Sequence, residues 1–448
     1  MPDRSVPNPP ALQRSAPVPE GRARRLWHFG RAMGEMAAGA AADGLGRLAR
    51  GERVDLTRLM LSPGNARRLA ERLSQMRGAV MKVGQLMSMD GHGVLPPHFA
   101  ELLGGLRDQA HVMPASQLAE VLEREYGSDW HRRFRRFSTE PLAAASIGQV
   151  HRAETHDGRV LALKIQYPGV RKSIASDMAN LALLARTPGL IPAALDVSAL
   201  LARVQTQLEH ETDYRAEARA ATAYRARLGD DPVLSVPAVD DEHCTDHILA
   251  TEFARGVPVD RLACQGGGTQ AQRDLVALAL SRLAVHELFR MRLVQTDPNF
   301  GNYLYDAASG RIALIDFGAT ENVTPERVEQ LRELGRALRD DDLPRLATAA
   351  AAAGFTAVDD PPELTRGVIA MMRMAGEPLR HVGAYDFGAS DLFARSFEQG
   401  RAQFFGEGFA RAPPPDLLFL QRKFAGTFLL CARLRARVDL AVVFAGEL

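Results

Sequence analysis

The chain has 448 residues, of which 46% are apolar and 24% charged, a composition typical of a soluble globular protein with two or three packed units. Its 55 basic and 54 acidic residues leave a formal charge of +1, so the chain has no large net positive charge that would attract nucleic acid. Cys244, Cys264 and Cys431 lie far apart without a CxxC pair, which provides neither a disulfide framework nor a zinc site.

Membrane insertion and secretion are disfavoured by the apolar pattern. No stretch reaches the roughly 18 uninterrupted apolar residues of a spanning helix, because the most apolar C-terminal segment is broken by Arg433, Arg435, Arg437 and Asp439. The beginning of the chain carries Pro and Arg but no apolar core of about 7 to 15 residues, so it is no secretory signal. We expect a disordered tail over residues 1–22.

Apolar residues recur at helical spacing from Arg53 to about Tyr126, and we predict an N-terminal helical extension over residues 23–125. Near its start, a basic cluster with Trp27 favours contact with an anionic membrane surface, and Gly30 and Gly34 permit close approach of another helix. An anionic membrane and a second copy of the chain, forming a homodimer, therefore stay open as partners. An ordinary helix packed on the domain is the alternative interpretation of this stretch.

The remaining chain predicts two lobes and an α+β fold class. Residues 126–255 read as a β-rich lobe, with a turn at Asp157-Gly158 and a strand pair formed by residues 236–239 and 247–253. Residues 256–448 read as a helical lobe. We expect the two lobes to join near residue 255.

A loop of small residues joins two predicted strands, and its lack of bulk lets backbone N–H groups approach phosphates. Lys164 follows Gly148 by 16 residues in an Ala-x-Lys setting, as the nucleotide-contacting lysine of kinase folds does. Taken alone, the loop could be a plain tight hairpin that binds no phosphate. Taken alone, Lys164 could be a solvent-exposed residue at the end of a strand. The predicted nucleotide contacts are Ala143, Ala144, Ala145, Ser146, Ile147, Gly148, Val150, Lys164, Glu252 and Phe253.

Lys164 requires an acidic partner on a following helix, and residues 211–218 offer Glu211, Asp213 and Glu217. We assign Glu217 as the partner of Lys164. If this segment is one helix, Glu217 lies about 240° round from Glu211, so the two carboxylates need different partners. Alternatively, either carboxylate is exposed to solvent at the surface and needs no partner.

Two further motifs have the order and spacing of a kinase. The loop 295–302 reads Gln-Thr-Asp-Pro-Asn-Phe-Gly-Asn, in which Asp297 would orient or deprotonate the acceptor and Asn302 would bind metal. An apolar strand then delivers Asp316 of an Asp-Phe-Gly sequence, 14 residues after Asn302, to the same metal. Each motif is weak by itself, but their common order predicts a protein-kinase-like fold that binds ATP with Mg²⁺.

Two features differ from an ordinary protein kinase. A helix with Pro325 in its first turn is predicted to begin at Thr324, which leaves about five residues for an activation segment and no peptide-substrate platform. The sequence between Lys164 and Glu217 is longer than a kinase needs, and residues 174–183 and 198–208 read as helices inserted in the β-rich lobe.

With these motifs, the chain resembles the UbiB family of atypical kinase-like proteins, especially its mitochondrial ubiquinone-biosynthesis branch and their bacterial relatives. The resemblance spans roughly residues 55–440. It is carried by Lys82-x-Gly84-Gln85, the Ala-rich loop, Glu211-x-Asp213, the sequence Gln-Thr-Asp-Pro-Asn at 295–299 and the run 422–431. It implies that Lys82 and Gln85 lie over the substrate cleft, with Lys82 meeting Glu211 and Asp213, as a lid that excludes protein substrates.

The same resemblance implies slow ATP hydrolysis in support of quinone-biosynthesis enzymes and their lipid or phenolic intermediates. We therefore expect an ATPase rather than a protein kinase, in the cytoplasm and peripheral on the inner face of the membrane. The Arg-bearing, acid-poor N-terminus leaves mitochondrial targeting open as an alternative. The rival functions are a small-molecule phosphotransferase of the aminoglycoside or choline kinase kind, and a nucleotide-binding adaptor without significant turnover.

Overall fold

The computed structural model describes residues 113–145, 147–185, 197–406 and 414–448. The predicted tail, most of the predicted extension, Lys82, Gln85 and the Gly30/Gly34 pair lie outside the described residues. The α+β class is confirmed, because the described residues form both helices and mostly antiparallel sheets.

Two compact units divide the described residues. The first unit contains those up to Glu217 together with Val239–Phe253, and the second contains Ala218–Ala238 together with Ala254–Leu448. The crossing after Phe253 lies beside the junction predicted near residue 255. Sequence reasoning did not anticipate that Ala218–Ala238 would belong to the second unit.

Helices occur in both units. In chain order, they are α1 (Ala115–Tyr126), α2 (Val170–Ala185), α3 (Val197–Glu211), α4 (Tyr214–Leu228), α5 (Gln270–His286), α6 (Pro325–Arg339), α7 (Leu343–Ala353), α8 (Pro362–Ala375), α9 (Glu377–Arg380), α10 (Leu392–Gly406), α11 (Pro415–Arg433) and α12 (Leu440–Phe444). A π-helical segment, Glu287–Met291, follows α5. Within the described part of the chain, no helix is both long and apolar enough to cross a membrane.

The strands are mostly short. They are β1 (Arg136–Phe137), β2 (Ala143–Ala144), β3 (Gly148–Glu154), β4 (Val160–Gln166), β5 (Leu234–Ser235), β6 (Ile248–Glu252), β7 (Val257–Pro258), β8 (Leu293–Gln295), β9 (Tyr303–Asp306), β10 (Arg311–Leu314), β11 (Thr320–Asn322), β12 (Tyr385–Asp386) and β13 (Arg437–Val438). In the first unit, the order β1-β3-β4-β6 forms one sheet, with β2 also paired to β3. In the second, the order is β5-β10-β9-β7, beside the pairs β11-β8 and β12-β13.

The central strand β4 explains how the first unit displays Lys164. Leu161, Leu163 and Ile165 alternate along β4 and are fully buried, so they form one face of the strand. Lys164 lies between the last two and points to the opposite face, because successive side chains of a strand alternate. The predicted turn at Gly158 is confirmed by its φ of +89° and by its N–H donating to Thr155 O at 3.1 Å.

Several local predictions are confirmed. Both inserted helices are present, as α2 and α3. Helix α6 begins where predicted, with Pro325 in its first turn and the Thr324 hydroxyl accepting from Arg327 N–H at 3.2 Å. Such a cap contributes about 1 kcal/mol to helix stability.

The predicted strand at residues 236–239 is wrong. The strand lies slightly earlier, at β5, and pairs in parallel with β10 rather than with β6. Val239 forms only an isolated bridge to Thr251. Pro237 accounts for the difference, because it offers no N–H to a ladder and is disfavoured within a sheet.

Candidate active site

Lys164 and Glu217 form an ion pair within the first unit. Lys164 Nζ lies 2.8 and 2.9 Å from the two carboxylate oxygens of Glu217, whose side chain is only 2% exposed. The ammonium also lies 5.3 Å from the centroid of the Tyr214 ring. The structure thus brings the predicted pair together, and the lysine compensates a carboxylate that would be costly to bury alone.

The Ala-rich loop is a tight hairpin between β2 and β3. Ala143 pairs with Val150 across the hairpin, Ala144 lies beside it, and Ala145 N–H donates to Gly148 O at 2.8 Å. Ser146 lies outside the described residues. In the ladder, Val150 is also the partner of Lys164, so these two predicted nucleotide contacts lie side by side.

Gly148 has a packing role that is independent of any phosphate. A Cβ atom placed there would lie 2.4 Å from Ile165 O and 3.0 Å from the Tyr214 hydroxyl, so only glycine allows this close approach of β3 to β4. The Ile147 side chain is buried, and its carbonyl accepts from Tyr167 N–H at 2.9 Å. Any contact of Ile147 with a nucleotide would therefore use its backbone N–H.

Glu252 and Phe253 end the first unit. Glu252 lies opposite Leu161 in the β4–β6 ladder, and Phe253 N–H donates to Val160 O at 2.9 Å. The Arg152 guanidinium stands 5.6 Å from the centroid of the Phe253 ring. Their assignment to the nucleotide stays a prediction.

Residues 211–218 are not one helix, so the 240° separation between Glu211 and Glu217 does not apply. Glu211 ends α3, and Asp213 precedes α4, where its carboxylate accepts from Ala216 N–H at 2.8 Å. Asp213 is thus a helix cap, which is reason enough for a short acidic side chain at this position. The proposed partner of these carboxylates, Lys82, lies outside the described residues.

In the second unit, the loop after β8 carries Asp297 and Asn302. Both are buried, and Asn302 Nδ2 lies 3.4 Å from Asp297 O. The Asn299 side chain accepts from Gly301 N–H at 3.1 Å and caps a short 3₁₀ turn that ends at Asn302. The spacing of five recognised in the sequence is therefore one compact turn that returns Asn302 to the backbone of Asp297.

Asp316 is tied to the same loop. Ile315 N–H donates to Asn302 O at 3.0 Å, so the two predicted metal ligands are held by adjacent backbone. The Asp316 carboxylate accepts from Gly318 N–H at 3.1 Å, which fixes its orientation. An amide oxygen and a carboxylate are hard oxygen donors of the type that Mg²⁺ prefers, so this residue set fits the expected metal.

Arg422 was not identified from the sequence as a site residue. Its Nη2 lies 3.4 Å from Asp297 Oδ1, and the two side chains are 13% and 12% exposed. Arg422 Nε is buried and has no hydrogen-bond acceptor among the described residues. A guanidinium thus adjoins the carboxylate predicted to orient the attacking group.

A buried polar cluster supports the start of this loop. Glu287 accepts from the Tyr224 hydroxyl at 2.5 Å and from Gln295 N–H at 3.2 Å, and its other oxygen lies 2.6 Å from Lys423 Nζ. Lys423 also donates to the Tyr303 hydroxyl at 3.3 Å. These contacts join α4, the π-helical segment after α5, β8, β9 and α11 around the residues that directly precede Asp297.

The pKa values of Lys423 and Tyr224 are both shifted upward within this cluster. Burial lowers the pKa of Lys423, but the negative charge of Glu287 and the contact with Tyr303 outweigh burial and leave the pKa raised. Burial, and then Glu287, raise the pKa of Tyr224 well above its usual value. Lys423 is therefore charged and Tyr224 a neutral donor. No local sequence pattern identified this cluster, because Lys423 directly follows Arg422 and Glu287 directly follows His286.

Comparisons with known proteins identify similar chains. The family model for the ABC1 atypical kinase-like domain matches residues 105–350. Atypical kinase COQ8B, mitochondrial, from Rattus norvegicus is 36% identical over 439 residues, covering 97% of this chain and 82% of that protein. Atypical kinase COQ8, mitochondrial, from Saccharomyces cerevisiae is 33% identical over 431 residues, covering 96% and 85%.

One solved structure is also similar along most of the chain. The Rv3197–erythromycin complex from Mycobacterium tuberculosis has a TM-score of 0.59 and 28% identity, covering 87% of this chain and 96% of that one. The matched family segment contains the Ala-rich hairpin, Lys164, Glu217, Asp297, Asn302 and Asp316, whereas Lys82 and Arg422 fall outside it.

Proposed function

The chain belongs to the UbiB family of atypical kinase-like proteins, and from this premise we propose that it binds Mg-ATP and hydrolyses it in support of ubiquinone biosynthesis. The observation that carries the proposal is the bidentate Lys164–Glu217 pair, because a buried carboxylate holds the ammonium at one position on β4. In the proposal, Lys164 binds the α- and β-phosphates and Glu217 positions it.

The second unit would supply the metal ligands and the residue that orients the attacking group. Asn302 and Asp316 would hold Mg²⁺, which when bound neutralises charge on the phosphate oxygens. Asp297 would orient a water or an acceptor hydroxyl and accept its proton. Arg422 would hold the Asp297 carboxylate in place through the contact at 3.4 Å.

Hydrolysis is favoured over protein phosphorylation by the segment after Asp316. Strand β11 begins at Thr320 and α6 at Pro325, so little chain lies between them to form a peptide-substrate platform. A lid formed by Lys82 and Gln85 over Glu211 and Asp213 is part of the proposal and rests on the family resemblance alone.

The similarity to the COQ8 relatives is the reason for proposing a role in quinone biosynthesis. The expected partners are enzymes of quinone biosynthesis and their lipid or phenolic intermediates, with an anionic membrane surface and a homodimer as further expectations. The names of the two COQ8 relatives place those proteins in mitochondria. For this chain, we propose a cytoplasmic location at the inner face of the membrane.

The test is phosphate release from Mg-ATP by purified wild type and Asp316→Asn, with and without anionic liposomes and a phenolic quinone-precursor mimic. Asp230→Asn, which changes an exposed carboxylate in the same unit, is the control. Lipid- or phenol-stimulated release that is lost only in Asp316→Asn supports the proposal. Transfer of phosphate to the phenol would instead indicate a small-molecule phosphotransferase, and nucleotide binding without turnover an adaptor.

A further inference from the structure

A basic cavity lies at the surface of the second unit and is not used by the proposed function. Its volume is about 440 Å³, within the range of about 300–1,000 Å³ that is usual for small-molecule sites. It is lined by Arg227, His286, Arg290, Met291, Arg292, Asn322 and Val323. None of these residues is a carboxylate, and four carry basic side chains.

Arg227, in the last turn of α4, is already oriented at this cavity. Its Nη1 donates to Met291 O at 3.0 Å and to Asn322 Oδ1 at 3.4 Å. These bonds leave Nε and Nη2 without an acceptor in the described part of the chain. Because Asn322 Oδ1 faces the guanidinium, its amide nitrogen stays available as a further donor.

Arg292 is held by its backbone while its side chain is exposed. Its φ of +51° is left-handed, its N–H donates to Glu287 O, and its carbonyl accepts from Val323 N–H at 3.0 Å. Among the described residues, nothing forms a hydrogen bond or ion pair with the Arg292 guanidinium. The left-handed backbone conformation of Arg292, which is uncommon for a residue other than glycine, thus places its guanidinium group at the cavity.

The local charge balance is positive. Arg290 is neutralised by an ion pair with Glu447, in which the Arg290 side chain is 63% exposed. Arg227 and Arg292 have no carboxylate partner among the described residues, and His286 adds a ring nitrogen at the C-terminal end of α5. Two uncompensated guanidinium groups therefore converge on one concave surface.

We propose that this cavity binds a phosphate monoester through the guanidinium groups of Arg227 and Arg292, with His286 and Asn322 as additional donors. Planar guanidinium forks match phosphate oxygens bidentately, and charge-assisted bonds of this kind are about twice as strong as neutral ones. The cavity is larger than one phosphate needs, so it also accommodates the carbon skeleton. Soluble phosphorylated metabolites and lipid headgroups share this chemistry.

Calorimetry on the full chain tests the proposal, with saturating Mg-ADP present so that any nucleotide site is occupied. Glycerol 3-phosphate is the soluble probe, and phosphatidylcholine vesicles with or without phosphatidate present the same group on a lipid. Arg292→Gln is the test variant. Arg366→Gln is the matched control, because Arg366 is also an exposed arginine and lies on α8, outside the cavity lining.

We expect binding of at least one phosphate probe that weakens by about tenfold or more in Arg292→Gln, is unchanged in Arg366→Gln and falls with added salt. Preference for the soluble or the vesicle probe identifies the source of the phosphate. Equal binding by both variants, or no binding of either probe, would overturn the proposal. Neither Arg292 nor Arg366 belongs to the proposed nucleotide site, so both variants should keep the ATP affinity of wild type. Measuring ATP affinity in the same variants therefore separates failure of this proposal from failure of the proposed function.

Discussion

Lys423 Nζ lies 2.6 Å from the Glu287 carboxylate inside the second unit, where the two side chains are 2% and 0% exposed. The same carboxylate accepts the backbone N–H of Gln295, two residues before Asp297. A buried ion pair therefore supports the start of the loop that carries the candidate catalytic carboxylate.

Replacing Lys423 by Met should destabilise the protein by about 3–5 kcal/mol, because it leaves the Glu287 charge buried without its cation. The double variant Lys423→Met/Glu287→Gln should recover most of this loss, since glutamine still accepts from Gln295 and carries no charge. Denaturant midpoints give the measurement, with the exposed Lys172→Met as control. A single variant as stable as Lys172→Met would show that the pair contributes little.

Removing either member of the Lys164–Glu217 pair should weaken ATP binding by about 10- to 100-fold, the range expected for losing one charge-assisted contact. Lys164→Met loses the contact itself, and Glu217→Gln loses the charge that holds it. Because they act through one interaction, the double variant should be no worse than Lys164→Met. Titration with a fluorescent ATP analogue measures all three, and strictly additive losses would show that the two residues act independently.

Arg422→Gln should lower the rate of ATP hydrolysis by about tenfold or more while changing ATP affinity less than about twofold, because Arg422 contacts Asp297 rather than a nucleotide-binding residue. Arg422→Lys should restore part of the rate, since it keeps the charge but loses the planar fork. Single-turnover kinetics separate the two effects. Equal losses in affinity and rate would place Arg422 in nucleotide binding instead.

His151 should make the protein less stable as the pH falls below about 6.5, the ordinary value for histidine. Burial lowers the pKa of His151 despite an opposing bond to Ser138 O, at 2.8 Å from Nδ1. With the folded pKa below the unfolded one, the stabilisation is complete above the unfolded value and is lost as pH falls through the folded value.

The measurement is the free energy of unfolding of wild type and His151→Gln between pH 7.5 and 5. The stability advantage of wild type over His151→Gln should shrink as the pH falls over this range. Only in wild type does unfolding expose the His151 imidazole, which then takes up a proton and so favours the unfolded state. The exposed His131→Gln is the control for removing one imidazole. A constant difference across the range would contradict the assignment.

Local sequence patterns predicted those structural elements that are determined by residues close together in the sequence. The turn at Gly158, the Thr324 cap with its following proline and the periodicity of α2 and α3 each depend on residues within one or two turns. The Lys164–Glu217 pair was also predictable, because the order of kinase motifs supplied the partner that spacing alone could not.

Long-range packing was not predictable in this way. Arg422 and Asp297 are 125 residues apart, and nothing near either one identifies the other. Lys423 directly follows Arg422, and Glu287 lies between His286 and Arg290, so the local sequence does not distinguish these buried charges from exposed ones. The break between α3 and α4 was missed because Thr212 and Asp213 interrupt the helix without a glycine or proline.

Equilibrium binding of ATP in Mg²⁺ and in EDTA shows whether this chain binds ATP through a divalent metal. For wild type, we expect binding in Mg²⁺ that weakens by about tenfold or more in EDTA, because in the proposed site Asn302 and Asp316 would contact the nucleotide only through the ion. Asp316→Asn should lose most of this metal dependence. ATP affinity that is the same in Mg²⁺, in EDTA and in Asp316→Asn, or no binding in any of them, would contradict the account.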